Sequence, residues 1–246
     1  MSHSERTDMR LEPLGDRALV ARWTGDSESC NPVLMAAIAS KLRAGGREWM
    51  IDVVSAFDTV TIVYDPVLLA DMMTEAERAA STPYAQAFAY IQQLLKRTDE
   101  QLDRMAKVVD IPICYGGEYG PDLQEAAGRA GMSAAQFTER HASARYRVAM
   151  IGFMPGFPYL TGLPRELQQP RKSSPRSRVP AGSVGIAGMQ TGIYPFSSPG
   201  GWQLIGRSPV VLFDVRQEEP SLLQAGDEVR FIPIDKKQLE AWGGQQ

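Results

Sequence analysis

Residues Val179 to Gly206 read VPAGSVGIAGMQTGIYPFSSPGGWQLIG, 28 positions without a charged side chain. Length and lack of charge match a membrane span, but the content does not. Seven glycines, three prolines and several serines interrupt the run, and a lipid-exposed helix with so many breakers could not satisfy its own backbone. The spacing instead predicts short strands between Gly/Pro turns, near 182 to 187, 192 to 196 and 202 to 207, continued at 209 to 215 and 228 to 232. Many short strands with frequent turns specify a β-barrel or sandwich. Two readings of the stretch stand. It is a set of Gly-rich turns filling a barrel mouth, or it is a charge-free pocket. Backbone N–H groups beside glycine, with Ser183, Gln190, Thr191, Tyr194, Ser197, Ser198 and Gln203 as neutral hydrogen-bonders, would then suit a small amide or lactam, and Arg207 a carboxylate.

Three segments upstream extend this region. Arg165 to Arg178, RELQQPRKSSPRSR, carries five basic residues and one acid. Such a run is commonly a solvated surface, yet Arg171, Arg176 and Arg178 could hold phosphate or carboxylate in bidentate fashion. Gly152 to Leu160, GFMPGFPYL, places Phe153, Pro155, Phe157 and Tyr159 close together. Proline limits the entropy lost on ordering, so the segment is a stiff aromatic wall for a ligand or a loop covering the core. Tyr115 to Asp122, YGGEYGPD, joins a strand over Val108–Tyr115 to a helix opening at Pro121 and Asp122. Gly116 and Gly117 would let a ligand approach the backbone, with the helix N-terminus facing an anion. The alternative is a tight turn with Asp122 favouring the helix dipole. Neither a P-loop nor G-x-G-x-x-G is present.

Ser133 and Gln136 have capping-box spacing, predicting a second short helix to about His141. His141 either caps a helix end or core hydrogen bond, or acts as an acid/base. No serine lies in a G-x-S-x-G elbow.

Before residue 108 the pattern differs. One strand and a turn are expected over 9 to 25, and a helix from Asn31-Pro32 with a stripe of Leu34, Ile38 and Leu42. Two β-branched runs, Trp49 to Val54 and Thr59 to Tyr64, form a hairpin, and a helix spans 83 to 107. Strand, helix, strand, strand, helix predicts a small α+β domain of the ferredoxin-like kind over 1–107. A mainly β barrel domain follows over 108–246. Ten of the 22 glycines and nine of the 17 prolines fall between 150 and 209, a change of character that favours two domains over one.

Composition excludes several classes. Twenty-six basic against 29 acidic residues leave a formal charge of −3, giving no general pull toward nucleic acid or an anionic membrane. Two cysteines and two histidines, none in a paired motif, do not supply a structural zinc site, and no metal site is expected. The polar first residues, MSHSERTDMR, do not read as a secretory signal, so a cytoplasmic location is expected.

Taken together, several motifs resemble the B-subunit family of bacterial 5-oxoprolinase, long called allophanate hydrolase subunit 1. They are Ile111 to Asp122, His141, Gly152 to Leu160, Val179 to Gly188, Gln190 to Pro195 and Ser198 to Arg207. That family also includes a Kip-type inhibitor of a sensor histidine kinase. The resemblance implies a cyclophilin-like second domain and a role in a heteromeric complex, beside a homologous C subunit, with an A subunit present too. Together these would open the 5-oxoproline lactam to glutamate with ATP and Mg²⁺. It also implies roles for the residues. His141, Glu118 and Arg207 would be catalytic. Gly116, Gly117, Arg171, Arg176 and Arg178 would serve the nucleotide. Phe153, Pro155, Phe157, Tyr159, Gln190, Thr191, Tyr194, Ser198, Gly200, Gly201 and Trp202 would line the substrate pocket. A kinase inhibitor, or half of a urea- or allophanate-type carboxyltransferase pair, are the alternatives within the resemblance.

Overall fold

The structure, a computed structural model, describes residues 9–25, 32–96 and 106–243. The chain divides into two compact units, Met1–Met105 and Ala106–Gln246. Asn31 as a helix cap, the extension of the fourth helix beyond residue 96 and the polar first eight residues lie outside the described residues.

In the first unit, β1 (Met9–Pro13), β2 (Ala18–Trp23), β3 (Met50–Ala56) and β4 (Thr59–Tyr64) form an antiparallel sheet in the order β1-β2-β4-β3. Helices α1 (Pro32–Ala44), α2 (Pro66–Met72), α3 (Glu75–Ala80) and α4 (Pro83–Lys96) accompany it. Strand β4 alternates strictly, burying Val60, Ile62 and Tyr64 against Met35, Ile38 and Leu42 of α1 and Ile91 and Leu95 of α4. That period-two pattern is what a sheet with one covered face requires. Two expectations change. Residues 9 to 25 hold a hairpin, not one strand. The ferredoxin-like order βαββαβ is also not followed: β1 opens the unit at one sheet edge, and no strand follows α4 among the described residues. Asp65 also does more than end β4. Its carboxylate accepts the Val67 and Leu68 N–H groups and, with Pro66 next, starts α2.

The second unit contains β5 (Val108–Tyr115), α5 (Leu123–Arg129), α6 (Ala134–Ser143), β6 (Tyr146–Ile151), β7 (Pro158–Thr161), β8 (Arg176–Val179), β9 (Ser183–Ala187), β10 (Gln190–Ile193), β11 (Ser198–Gly200), β12 (Gln203–Arg207), β13 (Glu228–Pro233) and α7 (Lys236–Gly243). Seven strands close a barrel in the order β10-β7-β6-β13-β5-β12-β9, with β10 returning to β9. All pairings are antiparallel except β13 with β5. Strands β8 and β11 pair outside the barrel. The interior is packed with Ile111, Ile113, Val148, Leu160, Val184, Ile186, Ile193, Ile205, Val229 and Phe231, and Leu123, Ala126 and Phe137 of α5 and α6 join them. Each large aliphatic side chain buried this way contributes about 1.5–3 kcal/mol. Closure removes the open edges that an antiparallel sheet otherwise exposes.

The Ser133 capping box forms as the spacing predicts. The strand expected at 209 to 215 does not form. Pro209 lacks a donor and Ser208 Oγ takes the Val210 N–H at 3.2 Å, leaving only a single bridge between Phe213 and Ser221. Gly120 is forced by contact: a Cβ there would lie 2.1 Å from the Ile205 carbonyl oxygen. Among the described residues no helix is long and apolar enough to cross a membrane.

Candidate functional site

The segment between β6 and β7 folds back on itself. Gly152 N–H donates to the Phe157 carbonyl at 3.1 Å, and Phe157 N–H to that of Met154 at 3.1 Å. Phe153 sits at φ 69°, a left-handed conformation that costs a bulky residue about 1–3 kcal/mol. The turn sends Phe157 inward, 1 % exposed, and leaves Phe153 63 % exposed. Phe157 meets Tyr159, Tyr194 and Trp202 with ring centroids 4.9, 5.2 and 5.6 Å away, mostly edge to face. These rings, with Phe153, wall a cavity of about 220 Å³. Arg171, Lys172 and Pro175 line one side, and Pro199, Gly200 and Gly201 another. Burial pushes the Tyr194 phenol up to about 12, so it stays neutral in ordinary buffers.

Behind Lys172 lies Asp122, 4 % exposed. Its carboxylate accepts the Leu204 N–H at 2.7 Å, Arg176 Nη2 at 2.7 Å and Lys172 Nζ at 3.3 Å. Burial acts to raise its pKa. The Arg176 and Leu204 hydrogen bonds and the charges of Arg176 and Lys172 outweigh that, and the group stays below the usual aspartate range. Asp122 makes no side-chain cap to α5. Beyond its expected place at the helix start, its carboxylate ties α5 to β12 and fixes Lys172 at the cavity edge.

The arrangement does not form a nucleotide cradle. Gly116 and Gly117 adopt positive φ, but four of the loop's amides are already spent within the barrel unit. Gly116 N–H goes to Ile205 O, Tyr119 and Gly120 N–H to Gly116 O, and Asp122 N–H to Leu204 O. The Asp122 carboxylate stands where an anion would approach the helix. A cavity of about 220 Å³ also falls below the roughly 300–1,000 Å³ typical of larger ligand sites. The residues here do not fit ATP. Arg176 is held by Asp122 through Nη2, its buried Nη1 finding no acceptor among the described residues, and Arg178 Nε reaches Ser197 Oγ at 3.1 Å on the surface. Only Arg171 of the three arginines lines the cavity.

The three residues expected to be catalytic do not converge on one cavity. Glu118 is exposed and ion-paired with Lys236 at 2.6 Å, which holds its pKa below the usual glutamate value. Arg207 lines a different cavity. His141 is fully buried. Its ring stacks on Phe231 at 4.8 Å, Nδ1 lies 2.8 Å from Tyr115 Oη and Nε2 lies 3.1 Å from Thr191 Oγ1. Thr191 Oγ1 donates to the Gly185 carbonyl, so it accepts from Nε2–H, and Nδ1 accepts from Tyr115. Burial pushes the imidazole down to about 3, and it is neutral at physiological pH. With both nitrogens occupied, it can join α6 to the barrel but offers no proton to a ligand.

Thr191 therefore belongs to the core, and Gln190, Ser198 and Pro155 do not line the cavity. Phe153, Phe157, Tyr159, Tyr194, Gly200, Gly201 and Trp202 do. Sequence reasoning missed Lys172, Pro175 and Pro199 as lining, and Asp122 as the carboxylate that organises the cations. The available signal was one acid followed far downstream by an almost acid-free basic run.

Known proteins share this architecture. A family described as carboxyltransferase domain, subdomain C and D, matches residues 9–223. The B subunit of 5-oxoprolinase from Bacillus subtilis (strain 168) is 39 % identical over 234 residues, 95 % of this chain and 96 % of that protein. Its counterpart in Haemophilus influenzae is 39 % identical over 224 residues, 91 % and 97 % of the two chains. The solved structure of TTHA0988 superposes with a TM-score of 0.71 at 36 % identity, covering 89 % of this chain. This chain spans 40 % of that longer one.

Proposed function

The chain belongs to the carboxyltransferase-domain family, subdomain C and D, beside relatives named as the B subunit of 5-oxoprolinase, and from that premise we propose that it is the B subunit of an ATP-dependent 5-oxoprolinase. One observation carries the reading: an aromatic-walled cavity of single-ring size has two cations at its side, Arg171 and Lys172, one of them anchored by a buried carboxylate. A five-membered lactam would lie against Phe157, Tyr159 and Trp202. Its carboxylate would meet Arg171 and Lys172, and charge-assisted pairs of this kind are worth about 1.5–3 kcal/mol.

Opening the lactam adds water to the ring carbonyl carbon, breaks the C–N bond and leaves the nitrogen as an amine. ATP activates the carbonyl oxygen in this class of reaction. Neither the glycine loop nor the aromatic cavity fits a nucleotide, so ATP and its Mg²⁺ would be held elsewhere in the complex. The residues of this chain bind and orient the lactam and exclude water from its apolar edge. Neither a histidine nor a carboxylate lines the cavity, and the chain is expected to need its partners for turnover. The barrel is of the cyclophilin-like class, and the complex works in the cytoplasm.

The family description favours one second reading, half of a carboxyltransferase pair acting on urea, a substrate without a carboxylate for Arg171. Co-expression with the C and A subunits, followed by glutamate and ADP measurement from 5-oxoproline and from urea, separates the two. Lactam turnover is expected. Its absence with all three subunits folded and assembled overturns the proposal.

A further inference from the structure

A second cavity, of about 390 Å³, shares no lining residue with the aromatic one. Its walls are largely apolar, with Phe196 and Phe213 edge to face at 6.0 Å and Val211 and Leu239 beside them. Phe196 and Val211 are 42 % and 50 % exposed, which makes an open apolar mouth. Arg207, at the end of β12, faces this cavity with its guanidinium carbon 5.3 Å from the centre of the Tyr119 ring.

Apart from the Tyr119 ring and the negative charge of Glu118, nothing among the described residues holds that guanidinium. Among the described residues no acceptor takes any of its N–H groups, and Nε is buried without a partner. Ser183, its direct cross-strand neighbour on β9, likewise buries an unpartnered Oγ. The nearby acids are drawn away from Arg207. Lys236 pairs with Glu118 at 2.6 Å and with Glu240, another residue of this cavity, at 3.7 Å. A partly buried cation with unspent donors is unfavourable unless an acceptor arrives. The contact with the Tyr119 ring positions the guanidinium in advance and lowers the entropy lost when an anion binds.

We propose that this cavity is a second ligand site, one that takes a small organic monocarboxylate with a branched or aromatic body. The carboxylate meets Arg207, and the body packs among Phe196, Phe213 and Leu239. The site is independent of lactam binding, which uses other residues.

The test is calorimetric titration of the purified full chain with phenylacetate and with phenylacetamide, its neutral isostere. Saturable phenylacetate binding, at least about tenfold tighter than the amide, is expected. Arg207→Met should level the two ligands, and Arg207→Lys should restore a preference for the acid. Trp202→Phe, in the aromatic cavity, should change neither. No saturable phenylacetate binding, an acid preference that survives Arg207→Met, or its loss in Trp202→Phe would each overturn the proposal. Binding to the isolated chain is read without turnover, so failure here leaves the lactam reading intact, and failure of lactam turnover leaves this site intact.

Discussion

Asp122→Ala should destabilise the barrel unit by about 4 kcal/mol. The side chain is 6 % exposed and serves three donors at once, Leu204 N–H, Arg176 and Lys172. Removing one member of a buried ion pair costs about 3–5 kcal/mol. Arg176 and Lys172 keep 25 % and 27 % of their side-chain surface, so water recovers part of the loss and the low end, about 3 kcal/mol, applies. The orphaned Leu204 N–H adds about 1 kcal/mol. Asp122→Asn keeps an acceptor for Leu204 and loses the charge, for about 2 kcal/mol. With a urea m-value of about 2 kcal/mol/M, the alanine midpoint falls by about 2 M and the asparagine midpoint by about 1 M. Trp202, two residues before Leu204, reports the transition by fluorescence.

The pH dependence of that loss has a definite sign. Asp122 has a depressed folded pKa. Its stabilisation is therefore fully present above the unfolded value of about 4 and fades as pH falls through the folded value. The gap between wild type and Asp122→Asn should narrow as the pH is taken below about 4. An alanine midpoint within about 0.5 M of wild type at pH 7, or a gap that widens in acid, would refute the reasoning.

Other consequences concern the remaining groups. His141, neutral in the fold with its pKa near 3, makes the unfolded state the better proton binder below about 6.5. Stability should fall by about 2 kcal/mol from pH 7 to pH 5, and urea midpoints of His141→Gln should lack that slope. A pH-independent difference between the two proteins would contradict it. In the assembled enzyme, Trp202→Ala should raise KM for 5-oxoproline about tenfold or more, the aromatic wall being lost. An unchanged KM would remove the lactam from this cavity. Glu118→Gln breaks an exposed pair with Lys236 and should leave both thermal midpoint and turnover unchanged. A large loss of turnover would return Glu118 to the chemistry.

Much of the barrel was legible because its strands carry local signals. Val108–Tyr115 is bounded by its glycine loop, and the 183–187, 203–207 and 228–233 segments are short apolar runs between turns. Pairing was not legible. The parallel contact of β13 with β5 joins residues about 120 positions apart, and no local propensity encodes such a partner. Strand β8 lies inside the basic run that composition marks as surface loop, and it forms only because β11 pairs with it. Half of the β1–β2 hairpin was legible: Leu14-Gly15-Asp16 reads as a turn and Ala18 to Trp23 as a strand, whereas Met9–Pro13, with Arg10 and Glu12 in it, forms a strand only by pairing with β2.

The candidate site was legible as a list and not as a map. Aromatic and glycine clusters show which residues are unusual, and most of the cavity's rings come from them. Placement depends on which face of each strand points where. Thr191 and Gln190 are neighbours on β10, yet the first is wholly buried against His141 and the second is not. Arg171 and Arg207 could both be matched to a carboxylate from their charge. Only the fold shows that they line different cavities.

The most direct test of the central claim compares 5-oxoproline with 2-pyrrolidinone, the same lactam without its carboxylate, in the assembled enzyme. Wild type should prefer 5-oxoproline by about 10- to 150-fold in kcat/KM, the worth of one charge-assisted contact. Arg171→Ala should collapse most of that preference while leaving pyrrolidinone turnover unchanged. A preference that survives Arg171→Ala intact would contradict the assignment of this cavity as the lactam site.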